Sequence, residues 1–198
     1  DPQKIERNLI EFLKKNADKL CQTCHDKGKN PKKDHVHGPV KEGKCLSCHE
    51  AHAGDRPKGL KKPVKDLCLS CHAPIKEQVA SKFAHTPAKN GDCAKCHDPH
   101  DSPNRAQLRE APEALCLKCH NPDRPTVVAK HFGLSLKGRD CTLCHSPHGS
   151  NRPNLIPERE HKPFRDRKCD SCHGGKGPDP LALKMAVPGL CFSCHKQD

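Results

Sequence analysis

Residues 85–102 read HTPAKNGDCAKCHDPHDS, and residues 115–120 follow with LCLKCH. Both pieces carry two thiols three positions apart with a histidine directly after the second: Cys93, Cys96 and His97, then Cys116, Cys119 and His120. The same Cys-x-x-Cys-His pattern recurs at Cys21 and Cys24, Cys45 and Cys48, Cys68 and Cys71, Cys141 and Cys144, Cys169 and Cys172, and Cys191 and Cys194. That makes eight motifs, spaced 22–28 residues apart, and none of the 16 cysteines is left over.

Composition shows what these motifs must supply. The 198 residues contain 33 Leu, Ile, Val and Phe in total, no Trp, no Tyr, and 30% charged side chains. A chain so poor in large apolar groups cannot build a core from side chains alone. This argues against a conventional α/β enzyme, a β-sandwich or a helical bundle. No apolar run approaches the roughly 18–20 residues of a membrane span. Cys-x-x-Cys-His is the attachment signature of c-type haem. Two thiols three positions apart reach the two vinyl groups of one porphyrin, and the adjacent histidine supplies an axial imidazole. The proximal histidines are then His25, His49, His72, His97, His120, His145, His173 and His195, for eight covalently attached haems. Zinc sites use Cys-x-x-Cys pairs without requiring a histidine after each. A disulfide framework predicts no histidine rule, and a thioredoxin-like motif occurs once rather than eight times.

Eight further histidines remain: His35, His37, His52, His85, His100, His131, His148 and His161. Their number equals the haem number, so every iron can take two imidazoles. Seven follow a repeat. Type II motifs come after leucine (Leu20, Leu67, Leu115, Leu190), and type I motifs after Lys44, Asp92, Asp140 or Lys168. A leading histidine precedes each type I motif by eight to ten residues: His37, His85, His131 and His161. A trailing histidine lies three residues beyond the proximal one in three of them: His52, His100 and His148. The motif at Cys169 lacks it, since Gly174-Gly175-Lys176 follows His173, and one type II half is missing after Cys144. Only His35 stands outside the scheme. Three residues span at most about 10–11 Å, too little to pass around a porphyrin to its far face. His52, His100 and His148 should therefore serve a haem other than the one beside them. For His100 the simplest candidate is the haem at Cys116, Cys119 and His120. His35, which lies beside the first haem in sequence, either completes an iron within its own chain or reaches the terminal haem of a neighbouring copy.

Residues 85–120, with partial repeats at 37–72, 131–150 and 161–195, resemble the doubled CXXCH family of multihaem cytochromes c. The resemblance implies electron transfer through bis-histidine haems packed in a line. Some proteins of this kind polymerise into extracellular cytochrome filaments in which end haems of successive subunits meet.

The expected fold is mostly irregular, with short α-helices and an N-terminal helix, wrapped around a chain of eight haems as one unit over residues 1–198. The helix is expected over residues 1–20, capped by Asp1-Pro2, with Ile5, Leu9, Phe12 and Leu13 on one face to cover a haem. Nineteen Pro and 13 Gly break longer elements elsewhere. Phe83, Phe132 and Phe164, close to leading histidines, suit porphyrin edges. The formal charge of +12 is offset by about 16 propionates and about +8 from oxidised iron, leaving roughly +4 oxidised and −4 reduced. Lys32-Lys33 and Lys61-Lys62 are then solvated or face propionates. Without stacking aromatics, nucleic-acid binding is not expected. Haem c is attached outside the cytoplasm, so a periplasmic or extracellular place is expected, with Asp1 as a mature N-terminus. Filled axial positions favour an electron carrier or conduit over an enzyme, with low, spread potentials. A periplasmic shuttle and a reductase of a small oxyanion or nitrogen compound are the alternatives. Redox proteins or extracellular acceptors are the expected partners, along with further copies in a homo-oligomer or filament.

Overall fold

The computed structural model describes residues 2–25, 34–174 and 179–196, without the side chains of 14–19 and 22–24. Asp1 as a cap, Lys32-Lys33, Gly175-Lys176 and the Cys24 thiol lie outside the described residues. The chain is mostly loop, with short helices, small two-stranded sheets and one long helix, α1, over Pro2–Cys24. The helix runs past residue 20 because the first Cys-x-x-Cys-His continues its ladder: the His25 amide donates to Cys21 O at 2.8 Å. Ile5 and Leu9 on its apolar stripe are exposed, so none of the described residues buries them.

Two antiparallel strand pairs tie the repeats together. Strand β1 (His35–Val36) pairs with β3 (Asp101–Ser102), setting His35 opposite Ser102. Strand β2 (Phe83–Ala84) pairs with β4 (Gly149–Ser150), setting Phe83 opposite Ser150. Each pair joins the segment before a leading histidine to the segment after the trailing histidine of the following repeat. Ser102 and Ser150 occupy equivalent places and are the two buried polar residues among those described. The Ser102 hydroxyl donates to Leu108 O and accepts from the Asn104 amide. The Ser150 hydroxyl does the same with Ile156 O and the Arg152 amide. These closed loops satisfy buried polar groups that would otherwise cost free energy. Gly149 is a site where no side chain fits: a Cβ there would sit 2.0 Å from Gln78 O.

Among the described residues no apolar side chain is buried. The polypeptide holds its form through turns, short strand pairs and polar contacts between repeats. Arg105 reaches Asp140 and Thr142, and Arg139 pairs with Asp179 at 2.6 Å.

Candidate haem-binding site

All eight motifs close the same turn. The amide of each proximal histidine donates to the carbonyl of the first cysteine four residues earlier, at 2.8–3.1 Å. One helical turn puts residues three and four apart on neighbouring positions of one face, so the two thiols of a motif sit side by side. Type II motifs end a helix that arrives from upstream: α1, Val64–Leu69, Pro112–Leu117 and Gly189–Phe192. Type I motifs form isolated turns at Cys45–Ser47, Cys93–Cys96, Cys141–Leu143 and Cys169–Ser171.

Each type I proximal imidazole is oriented by a backbone carbonyl from the loop that follows. Nδ1 of His49 meets Lys58 O at 3.0 Å, that of His97 meets Ala106 O at 2.8 Å, and that of His145 meets Asn154 O at 2.8 Å. His173 does the same with Leu181 O at 2.6 Å. A carbonyl only accepts, so Nδ1 carries the proton and Nε2 is left with its lone pair, the form in which histidine binds a metal. Lys58, Ala106 and Asn154 have φ of 61°, 53° and 59°. That left-handed conformation is unfavourable for residues with a Cβ, and it recurs where the carbonyl must turn toward the imidazole. Three different residue types fill the position, so no sequence pattern marks it.

Two of the four leading histidines are clamped to trailing ones. His37 donates its amide to His100 O at 2.9 Å and its Nδ1 to Pro99 O at 3.0 Å. His85 donates likewise to His148 O at 3.0 Å and Pro147 O at 2.9 Å. His148 Nδ1 faces Gln78 Oε1 at 3.2 Å. Burial, followed by the nearby His97, His85 and His72, lowers the His148 pKa and favours its neutral form.

These constraints bring imidazoles together in pairs. His37 faces His72 at 6.0 Å between ring centres, His49 faces His100 at 6.0 Å, and His85 faces His120 at 6.1 Å. His97 faces His148 at 6.0 Å, His131 faces His145 at 6.1 Å, and His161 faces His195 at 5.9 Å. An imidazole nitrogen binds a first-row metal at about 2.0–2.1 Å, and the ring centre lies roughly 1.1 Å behind it. Two rings on opposite sides of one ion are thus about 6 Å apart. Among the described residues no group of three or more His, Cys, Asp or Glu is placed to hold a metal ion. Facing imidazole pairs suit a metal whose other four ligands come from a porphyrin, so the residues present fit haem.

His97 and His100 face different partners, in line with the chain-reach argument. The simplest assignment of His100 needs correction: it faces His49, while His120 is taken by His85. The reason is the β1–β3 pairing, which carries the trailing segment back to the preceding repeat. His25, His35, His52 and His173 face no other imidazole among the described residues.

The motifs also follow one another in space. Burial pushes the Cys68 thiol up to about 11, and the adjacent thiols of Cys93 and Cys48 add to the shift. Cys116 is pushed up to about 11 by burial and then by Cys141 and Cys96. Helix Val64–Leu69 touches the Cys93–Cys96 turn, Pro112–Leu117 touches Cys141–Leu143, and α1 touches Cys45–Ser47.

Turns bearing paired thiols, oriented proximal imidazoles and a second imidazole across from most of them define a multihaem cytochrome c, a protein of electron transfer with covalently bound c-type haem. The Doubled CXXCH motif family matches residues 37–77, 85–125, 135–160 and 161–198, most of the chain, and the protein belongs to that family. No curated protein matches the chain. Among the described residues no helix is long and apolar enough to cross a membrane.

Proposed function

We infer that the chain carries eight c-type haems, each with two imidazole ligands, and conducts electrons along them as a continuous line. The observation that carries this reading is the set of six imidazole pairs at 5.9–6.1 Å. Bound at these sites, haem supplies a one-electron couple at iron. The chain's own residues attach it through all 16 cysteines, orient the proximal rings by backbone carbonyls, and lend ligands between repeats. Lending forces neighbouring sites close, because the trailing His100 and His148 cross to the preceding repeat, while the leading histidines face a proximal histidine of their own repeat. The lack of buried apolar side chains among the described residues fits porphyrins as the interior around which one unit of 198 residues wraps.

Two imidazoles per iron leave no position open for a substrate, which favours a conduit over a reductase. Bis-histidine ligation lacks the methionine that raises potentials in carrier cytochromes, so the potentials are low and, through coupling, spread. Haem c is attached outside the cytoplasm, which supports a periplasmic or extracellular location. There it exchanges electrons with redox proteins or extracellular acceptors, and its copies join end to end. Pyridine haemochrome analysis of intact protein should give eight haems per chain, and a redox titration a broad curve of low midpoint. Fewer than eight haems, or one sharp step at clearly positive potential, would overturn the reading.

A further inference from the structure

We propose that His52 is the second axial ligand of the iron held at Cys169, Cys172 and His173 of another copy of the chain, so that copies join head to tail through a shared haem site. This rests on the reading of facing imidazoles as axial pairs. Trailing histidines obey one rule: His100 faces His49 and His148 faces His97. In both cases the partner is the proximal histidine of the preceding type I motif, and the interval is 51 residues. Two histidines, His52 and His173, stand outside the rule in complementary ways. Within residues 1–198 no type I motif stands before the one that His52 trails, and His52 faces no imidazole among the described residues. Within residues 1–198 no type I motif stands after the one at Cys169, so none of these residues supplies a trailing histidine to His173.

His173 is nevertheless built as a ligand. Its amide closes the motif turn on Cys169 O at 2.9 Å, its Nδ1 faces Leu181 O at 2.6 Å, and its backbone bridges to Leu183. The same bridge joins His49 to Leu60 and His97 to Leu108. A comparable deficit arises at His145, because position 176 of the following repeat is lysine where the trailing histidine would stand. There the leading His131 fills in, with its ring tilted 56° to that of His145 rather than stacked. His173 has no such substitute, because its leading His161 faces His195 at 5.9 Å.

By the same rule His52 does not serve the first haem of its own chain. Helix α1 touches the Cys45–Ser47 turn as Val64–Leu69 touches Cys93–Cys96 and Pro112–Leu117 touches Cys141–Leu143. In those two units the trailing histidine does not turn to the neighbouring type II motif but crosses to the preceding unit. That assignment keeps His35, ten residues further on, for the haem at His25. The bond is simple coordination: neutral His52 donates its Nε2 lone pair to iron, with no change in oxidation state, and protonation of the ring opposes it.

The test compares wild type, His52→Ala and His35→Ala as full-chain holoproteins. Haem content, ferric high-spin EPR intensity, and assembly by light scattering and electron microscopy are measured. His52→Ala should keep all eight haems, show one high-spin iron at any concentration and lose head-to-tail assembly. Added imidazole should restore the low-spin spectrum without restoring assembly, which separates ligand loss from misfolding. Wild type should gain high-spin signal on dilution as copies part. His35→Ala should open one iron while assembly persists. His52→Ala that assembles normally, or stays fully low-spin, overturns the shared site. A loss of assembly that imidazole leaves spectrally unchanged overturns it too. A wild-type haem count other than eight would instead overturn the underlying function.

Discussion

Replacing His100 by Ala should open the iron at Cys45, Cys48 and His49, 51 residues away in sequence, and leave those at His97 and His120 intact. The His100 ring faces His49 at 6.0 Å with 17° between planes. What holds its repeat in place does not depend on that ring. The His37 amide bonds to His100 O at 2.9 Å, the His37 Nδ1 to Pro99 O, and β1 pairs with β3 through backbone groups. Truncating an exposed ring with no other polypeptide role costs within about 0.5 kcal/mol, roughly 1–2 °C in Tm for a chain of this size. Any larger loss measures the iron–imidazole bond. One iron in eight should become high-spin in the ferric EPR spectrum while haem content stays whole. A structure of the variant then identifies the iron lacking a second imidazole. His148→Ala should move the vacancy to the iron at His97. The reasoning is refuted if the open iron in His100→Ala is at His97 or His120, or if none opens.

The remaining expectations concern single sites. Tilted axial rings give a strongly anisotropic low-spin ferric spectrum; the 56° pair of His131 and His145 should contribute one such component against the 17–29° of the stacked pairs, and His131→Ala should remove it. Ala106→Gly relieves a left-handed residue at a cost in chain entropy and should raise stability by about 1 kcal/mol or less, ~2–4 °C; Ala106→Val should lower Tm, and a fall for both would contradict the strain argument. The Asp140 carboxyl is held below its ordinary 3.8, chiefly by the Thr142 hydroxyl and with help from Arg105. A depressed folded pKa means that its contribution is complete above about pH 4 and lost as pH falls through the folded value. Asp140→Asn should thus weaken the acid dependence of unfolding below pH 4, measured by thermal melts, and leave the slope above pH 5 unchanged.

The cofactor was legible from residue types alone. Every cysteine falls in a Cys-x-x-Cys-His, and that spacing dictates a single helical turn with a proximal imidazole, which the His-to-Cys amide bonds of all eight motifs display. The loop-rich fold with one N-terminal helix followed from the proline and glycine content and the scarcity of large apolar side chains. Chain reach separated His97 from His100, because three residues cannot span a porphyrin. It could not name the partners. Those depend on β1–β3 and β2–β4, two-residue strands that join segments about 65 residues apart, and such short strands carry no periodicity to read. The carbonyls of Lys58, Ala106 and Asn154 were hidden for a different reason: their role lies in a backbone dihedral that any side chain can accompany. The end of helix α1 also moved from residue 20 to Cys24 because the first motif is itself helical. What the sequence determined by itself was thus the local chemistry of attachment, set within five residues. Which imidazole faces which was decided by tertiary structure: four pairs close within one repeat across a loop and helix, and the two made by His100 and His148 join different repeats and meet only when the strand pairs fold one repeat back on another.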